Sequence, residues 1–167
     1  MDIDSELNFI EASQEQVMEM LEIYNYYINN STATFDLKEI TIDMFLHRIK
    51  VDNPTYKTYL AKIGDAMIGF CFYIPYSENP AYDSTVEIGL YLRPEFTGRR
   101  YGEKMVNYLE HKIKEKNFRN IIASVSSDNI HSINLFTKIG YEHCADYKDI
   151  AYKHGHYVGI VDFQKMI

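Results

Sequence analysis

Cysteine is scarce, long apolar runs are missing, and positive charge is in the minority. The two cysteines, Cys71 and Cys144, lie far apart and make no metal-type pair. No apolar run approaches the roughly 20 residues of a membrane-spanning helix, so no membrane partner is expected. Lys and Arg total 17 against 24 Asp and Glu, giving a net charge of −7. Counterion release from nucleic acid needs clustered cations, so general nucleic-acid affinity is not expected either. The opening MDIDSELNF is acidic and lacks the apolar core of a secretory signal. With so few cysteines, a reducing cytoplasm is the expected setting. Internal repeats, low-complexity tracts and long linkers are absent. So are the G-x-x-x-x-G-K-[ST] and G-x-G-x-x-G phosphate motifs.

What remains is the composition of a folded globular unit. The 167 residues are 46% apolar and 25% charged, which predicts one domain, 1–167, with its own core. Strand-like alternation at 7–12 is followed by Ser13 and Gln16, a capping-box pair, and then by Val17, Leu21, Tyr24 and Ile28 at helical spacing. Thr41 is placed to cap a second helix that runs towards Asn53-Pro54. Two strands, 58–63 and 66–74, meet at Gly64-Asp65, a hairpin signal. A strand at 85–92, a helix at 99–116, a strand at 120–126 and a helix at 129–139 follow. Two β-rich stretches flank His154-Gly155. The order is β-α-α-β-β-β-α-β-α-β-β. Its central hairpins argue against a strictly alternating doubly wound sheet. The expected fold class is α/β (α+β): a three-layer sandwich with a mostly antiparallel central sheet flanked by helices.

Three stretches carry candidate chemistry. In RPEFTGRRYGEKM, Gly98, Arg99, Arg100 and Gly102 stand where a strand hands over to a helix. A helix start offers free N–H groups and partial positive charge, and glycine lets the backbone approach a phosphate closely. A pyrophosphate suits this site; an ordinary turn with solvated arginines suits the same residues. In TVEIGLYL, the strand before it, Val86, Ile88, Leu90 and Leu92 share one face, and Glu87, Gly89 and Tyr91 share the other. A carboxylate in an apolar strand is costly unless paired or used. Gly89 would leave space beside it, or mark a bulge. Glu87 is thus a general base in a cleft, or a structural acid paired with a lysine or exposed at an edge. The third stretch is SSDNIHSINLFTKIGYE. Asn129 begins a helix there, as a plain N-cap or as an amide donor to a ligand.

Taken together, these stretches resemble the Gcn5-related N-acetyltransferases (GNAT), and in particular the phosphinothricin acetyltransferase-like branch. IYNYYINNSTATFD, AYDSTVE and KHGHYVGIVDFQKMI extend the likeness over essentially the whole chain. The resemblance implies acetyl-CoA as co-substrate, no metal, and acetyl transfer to the primary amine of a small, amino-acid-like molecule. It implies backbone contacts from Leu90, Tyr91 and Leu92 to the pantetheine arm. Residues 98–103 (Gly98, Arg99, Arg100, Tyr101, Gly102 and Glu103) would cradle the pyrophosphate, Asn129 would touch the cofactor, and Glu87 would be the catalytic base. Phe35 and Tyr82 are the expected acceptor-side residues, and a homodimer is implied by analogy. Other readings are acetylation of a peptide or protein amine, and a non-catalytic acyl-CoA-binding module.

The chain departs from the family pattern at several points. Thr97 and Arg100 stand where the glycine loop has Arg/Gln and its central glycine. Phe136 replaces a common Tyr or His that could protonate a leaving thiolate. Glu78 and Asn79 occupy the region of an arginine suited to acidic substrates, and Tyr157 and Gly159 replace a late Trp and Asp. Tyr26 or Tyr27 is placed to reach an acceptor cleft. His154 and His156, spaced to share one face of a strand, are expected to line a pocket or stay solvated. Both thiols are expected to be buried.

Overall fold

The computed structural model describes residues 7–167; residues 1–6, with all three acids of the MDIDSELNF opening, lie outside them. One sheet contains β1 (Leu7–Glu11), β2 (Lys57–Ile63), β3 (Ala66–Pro75), β4 (Thr85–Leu92), β5 (Asn120–Ser126), β6 (Glu142–Lys153) and β7 (His156–Met166). Their spatial order is β1-β2-β3-β4-β5-β7-β6. Only β4 and β5 run parallel; every other neighbouring pair is antiparallel. The helices α1 (Val17–Asn30) and α2 (Ile42–Arg48) pack on one face, and α3 (Tyr101–Glu115) and α4 (Ile130–Lys138) on the other. Element order and layering match the expected sandwich.

Local chemistry explains most boundaries. Ser13 N donates to Gln16 Oε1 at 2.9 Å just before α1, and Thr41 Oγ1 accepts from Met44 N at 3.4 Å at the start of α2. That second helix stops at Arg48, short of the expected Asn53-Pro54. Ile49 is 1% exposed with an extended backbone, so burying its side chain takes the chain off the helical path. In the last hairpin, His154 (φ 50°) and Gly155 (φ 82°) form a two-residue turn with both residues left-handed. His154 therefore belongs to the turn and does not alternate with His156 along a strand.

Each face of the sheet has its own core. Met20, Ile28, Phe45 and Phe70 fill the α1–α2 side; Met105, Leu109, Ile113 and Phe163 fill the α3–α4 side. Phe136 belongs to the second core. It is 2% exposed, its ring 4.9 Å from Tyr141 and 5.8 Å from Phe163. Cys71 is buried as expected, but Cys144 is exposed, because it lies on β6 at the sheet edge.

Gly159 on β7 shows how tightly the last hairpin is built. A Cβ there would lie 2.2 Å from the carbonyl oxygen of Tyr147, beside an irregularity between Tyr147 and Ala151. No side chain, the expected family aspartate included, fits against that backbone. Gly159→Ala should therefore cost about 1–3 kcal/mol through overpacking, measured by urea unfolding. An unchanged unfolding midpoint would contradict this.

Candidate active site

The site begins where the parallel pairing of β4 and β5 ends. Their register runs Thr85–Asn120, Val86–Ile121, Glu87–Ile122 and stops. Beyond Glu87, β4 stays paired to β3 as far as Leu92, and β5 stays paired to β7 as far as Ser126. Each strand thus leaves one backbone edge facing a widening gap. Free strand edges need hydrogen-bond partners, and an extended ligand can supply them.

A cavity of about 490 Å³ occupies this region. Leu90, Tyr91 and Leu92 line it, as do Gly98, Arg100, Gly102, Glu103 and Asn129. The structure brings these expected residues together. The Leu92 carbonyl already accepts the Tyr27 hydroxyl at 2.6 Å, which leaves one of its two lone pairs. Arg99 and Tyr101 do not line the cavity. The Arg99 guanidinium lies 5.7 Å from the Phe96 ring centroid, and the Tyr101 side chain is buried in the core. Tyr101 offers this region only its backbone N–H.

The loop before α3 has two left-handed residues, Gly98 (φ 72°) and Arg100 (φ 65°). Arg100 keeps the backbone shape that the family pattern assigns to glycine. An L-residue enters this region at a cost of roughly 1–2 kcal/mol. The first α3 bond outside the loop runs from Lys104 N to Arg100 O, so the N–H groups of residues 101–103 are left for an anion. Glu103 pairs across the cavity with Lys138 Nζ at 2.6 Å, and this bond holds its carboxyl below the usual range. Negative charge at the rim is thereby offset.

On α4, Asn129 serves as N-cap: its Oδ1 accepts from Ser132 N at 3.2 Å. Its amide nitrogen makes no hydrogen bond with another described residue, so capping and ligand contact are compatible. His131, Asn134, Leu135 and Lys138 also line the cavity. Their i, i+3, i+4, i+7 spacing marks one helix face, a signal available in the sequence but not used. Ala33 and Tyr27 complete the wall from the α1–α2 side. Tyr26 is exposed.

Glu87 stands at the apex of the gap, outside the cavity lining. It is half-buried, and its carboxylate makes no ion pair or hydrogen bond with another described residue. Burial raises its pKa first, and the Asp162 carboxylate raises it further. Asp162 accepts from Ser124 Oγ at 2.7 Å. The space expected beside Gly89 is filled: a Cβ there would lie 2.3 Å from the Phe72 ring. The β3–β4 register is unbroken, so there is no bulge. Burial also pushes the Tyr91 phenol well above its ordinary range, so Tyr91 can donate but not act as a base.

Two acceptor-side expectations fall elsewhere. Phe35 is half-buried in the α1–α2 loop, outside the cavity lining. Tyr82 is exposed in the turn before β4, its ring 5.6 Å from Tyr76. His154 and His156 line a neighbouring cavity of about 800 Å³ together with Asp128 and Asn129. No three metal-type ligands gather among the described residues.

Arg100 yields a test. Arg100→Gly removes both the guanidinium and the left-handed strain, whereas Arg100→Ala removes only the guanidinium. Both should weaken pyrophosphate binding several-fold by calorimetry. Only the glycine variant should gain stability, by roughly 1 kcal/mol. Equal melting temperatures for the two variants would contradict the strain assignment.

Known proteins share this architecture. The chain is 24% identical over 157 residues to a phosphinothricin N-acetyltransferase of Streptomyces coelicolor, covering 91% of each. It is 23% identical over 149 residues to an L-methionine sulfoximine/L-methionine sulfone acetyltransferase of Pseudomonas aeruginosa, covering 87% of this chain and 86% of that one. A GNAT-superfamily phosphinothricin acetyltransferase from Sinorhizobium meliloti, solved in complex with AcCoA, superposes with a TM-score of 0.90 at 24% identity. That superposition covers 96% of this chain and 88% of the other. The profile of the acetyltransferase (GNAT) family matches residues 16–141, and the chain belongs to that family.

Proposed function

We propose that this chain, as one acetyltransferase domain, moves an acetyl group from acetyl-CoA to the primary amine of a small, amino-acid-like molecule, with Glu87 as general base. The observation that carries this reading is the unpaired Glu87 carboxylate at the point where β4 and β5 separate. Relatives named for phosphinothricin and L-methionine sulfoximine support a small, amino-acid-like acceptor.

The residues present fit the co-substrate. The β4 edge at Leu90–Leu92 has the geometry to pair with the amides of a pantetheine arm. The N–H groups at the start of α3, with Arg100 and Lys138, suit a pyrophosphate, and the Asn129 amide nitrogen is a further donor. An acceptor amine arrives largely protonated at neutral pH. Glu87, directly or through a water, takes one proton, and the free amine attacks the thioester carbonyl. Ser124 and Asp162 stand on the same face of the sheet, and the Asp162 charge favours the arriving cation. Phe136 is core, so the CoA thiolate leaves without a proton from that position.

Glu87→Gln should lower kcat/KM by ~10²–10⁴ while acetyl-CoA affinity stays nearly constant. The pH dependence has a definite sign. A raised carboxyl pKa means that wild-type kcat/KM falls with decreasing pH at a higher pH than an ordinary glutamate near 4.3 would give; the variant lacks that limb. Stability moves the other way. The unfolded chain loses this proton first, so wild type loses stability as pH rises through the raised pKa, and Glu87→Gln does not. A folded variant with unchanged kcat/KM across pH removes Glu87 from the mechanism. Free-thiol release against a panel of amino acids, peptides and phosphinothricin identifies the acceptor class.

A further inference from the structure

The loop between α1 and α2 is held from several other elements. Ala33 in this loop lines the 490 Å³ cavity beside Tyr27. Tyr91 Oη approaches Ala33 O at 3.5 Å. Tyr24 Oη lies 2.7 Å from Thr34 Oγ1 and Ser126 Oγ lies 2.8 Å from Thr32 Oγ1. A further set of holds converges from the β6–β7 turn. Lys153 Nζ donates to Thr34 O at 2.6 Å, and His154 Nε2 lies 3.2 Å from Ser31 O. Thr32 Oγ1 donates to Asp128, which in turn lies 3.2 Å from His156 Nε2. One short turn therefore contacts residues 31 and 34 directly and residue 32 through Asp128.

Lys153 is the chemically unusual member. It is 2% exposed. A buried ammonium is costly unless it is paired and hydrogen-bonded. No described carboxylate forms an ion pair with it. Asp36, the acid whose charge reaches it, is engaged by Arg48 Nη2 at 2.5 Å and by Tyr24 Oη at 2.8 Å. The ammonium spends its bond on a neutral backbone carbonyl 119 residues away. An apolar side chain would fill that space more cheaply, but it would not hold the loop.

We propose that Lys153 is a positioning residue for the co-substrate: through it the β6–β7 turn latches the α1–α2 loop, so that Ala33, beside Tyr27 of α1, stands as a preformed wall of the groove. This rests on the reading that the groove takes acetyl-CoA. A wall ordered in advance spares the ligand the cost of ordering it. Without the latch, only a fraction of molecules would hold the binding-competent loop, and apparent affinity would fall by that fraction.

Two variants test the latch. Lys153→Met keeps length and loses the donor; Lys153→Arg keeps a cationic donor. Acetyl-CoA is titrated by calorimetry, and amide hydrogen exchange is followed at residues 31–36. Lys153→Met should weaken acetyl-CoA binding about tenfold to a hundredfold, the weight of a hydrogen bond from a charged donor. Its loop amides should exchange faster, KM for acetyl-CoA should rise more than kcat falls, and Lys153→Arg should recover part of the loss. A Lys153→Met protein with wild-type affinity and unchanged loop exchange would overturn the proposal, whatever its melting temperature. Should that variant not fold, Lys153→Leu, which also lacks a donor, is read the same way. If wild type itself binds no acetyl-CoA, the proposed function fails. The exchange measurement still decides the latch: faster exchange at 31–36 supports it and unchanged exchange overturns it.

Discussion

The parallel contact between β4 and β5 is the constraint on which the rest depends. It lasts for three residue pairs and then fails. Both strands stay anchored on their outer sides, β4 by β3 and β5 by β7, so their inner edges open like a wedge. Unpaired backbone in a protein interior is expensive, and this gap is stable because it faces a cavity that a ligand can enter. The wedge also sets positions. It puts Glu87 at the apex, the start of α3 across one arm and the start of α4 across the other. A sheet that stayed paired to Leu92 would have neither groove nor apex.

Charge is arranged around this wedge with little waste. The α3 start supplies backbone donors, and its one acid, Glu103, is neutralised across the groove by Lys138. At the apex the balance is reversed: Glu87 lies in the field of the Asp162 carboxylate, and no cation among the described residues pairs with either. An anionic ligand is favoured at one end and a cationic group at the other. That polarity fits a phosphorylated carrier meeting an amine. The α1–α2 loop closes the remaining side, and its backbone oxygens are held by Tyr91 from β4 and by Lys153 and His154 from the β6–β7 turn.

Much of this was legible in the residues. Alternation on 85–92 separated Glu87 from the apolar face, and the glycine-arginine loop marked the helix start. Element order followed from capping and turn residues such as Ser13, Thr41 and Gly64. The missing parts have physical reasons. The space at Gly89 is taken by Phe72 from the neighbouring strand, and strand register is not written in either segment alone. The left-handed Arg100 violates its own preference because the loop demands a turn there. Arg99 leaves the groove for the Phe96 ring, a choice set by local packing. Lys153 meets Thr34 across most of the chain, and no periodicity reports such a contact. Lys138, by contrast, sat on a readable helix face.

The central claim is that the opened β4 edge and the α3 start together receive acetyl-CoA. Amide chemical shifts followed while acetyl-CoA is titrated into labelled protein test it most directly. The account predicts the largest changes at Leu90–Leu92, at Gly98 and Arg100–Glu103, and at Asn129, with the far edge of the sheet around Leu7–Glu11 unmoved. Absence of change at those residues at millimolar acetyl-CoA, or changes confined to other parts of the fold, would contradict it.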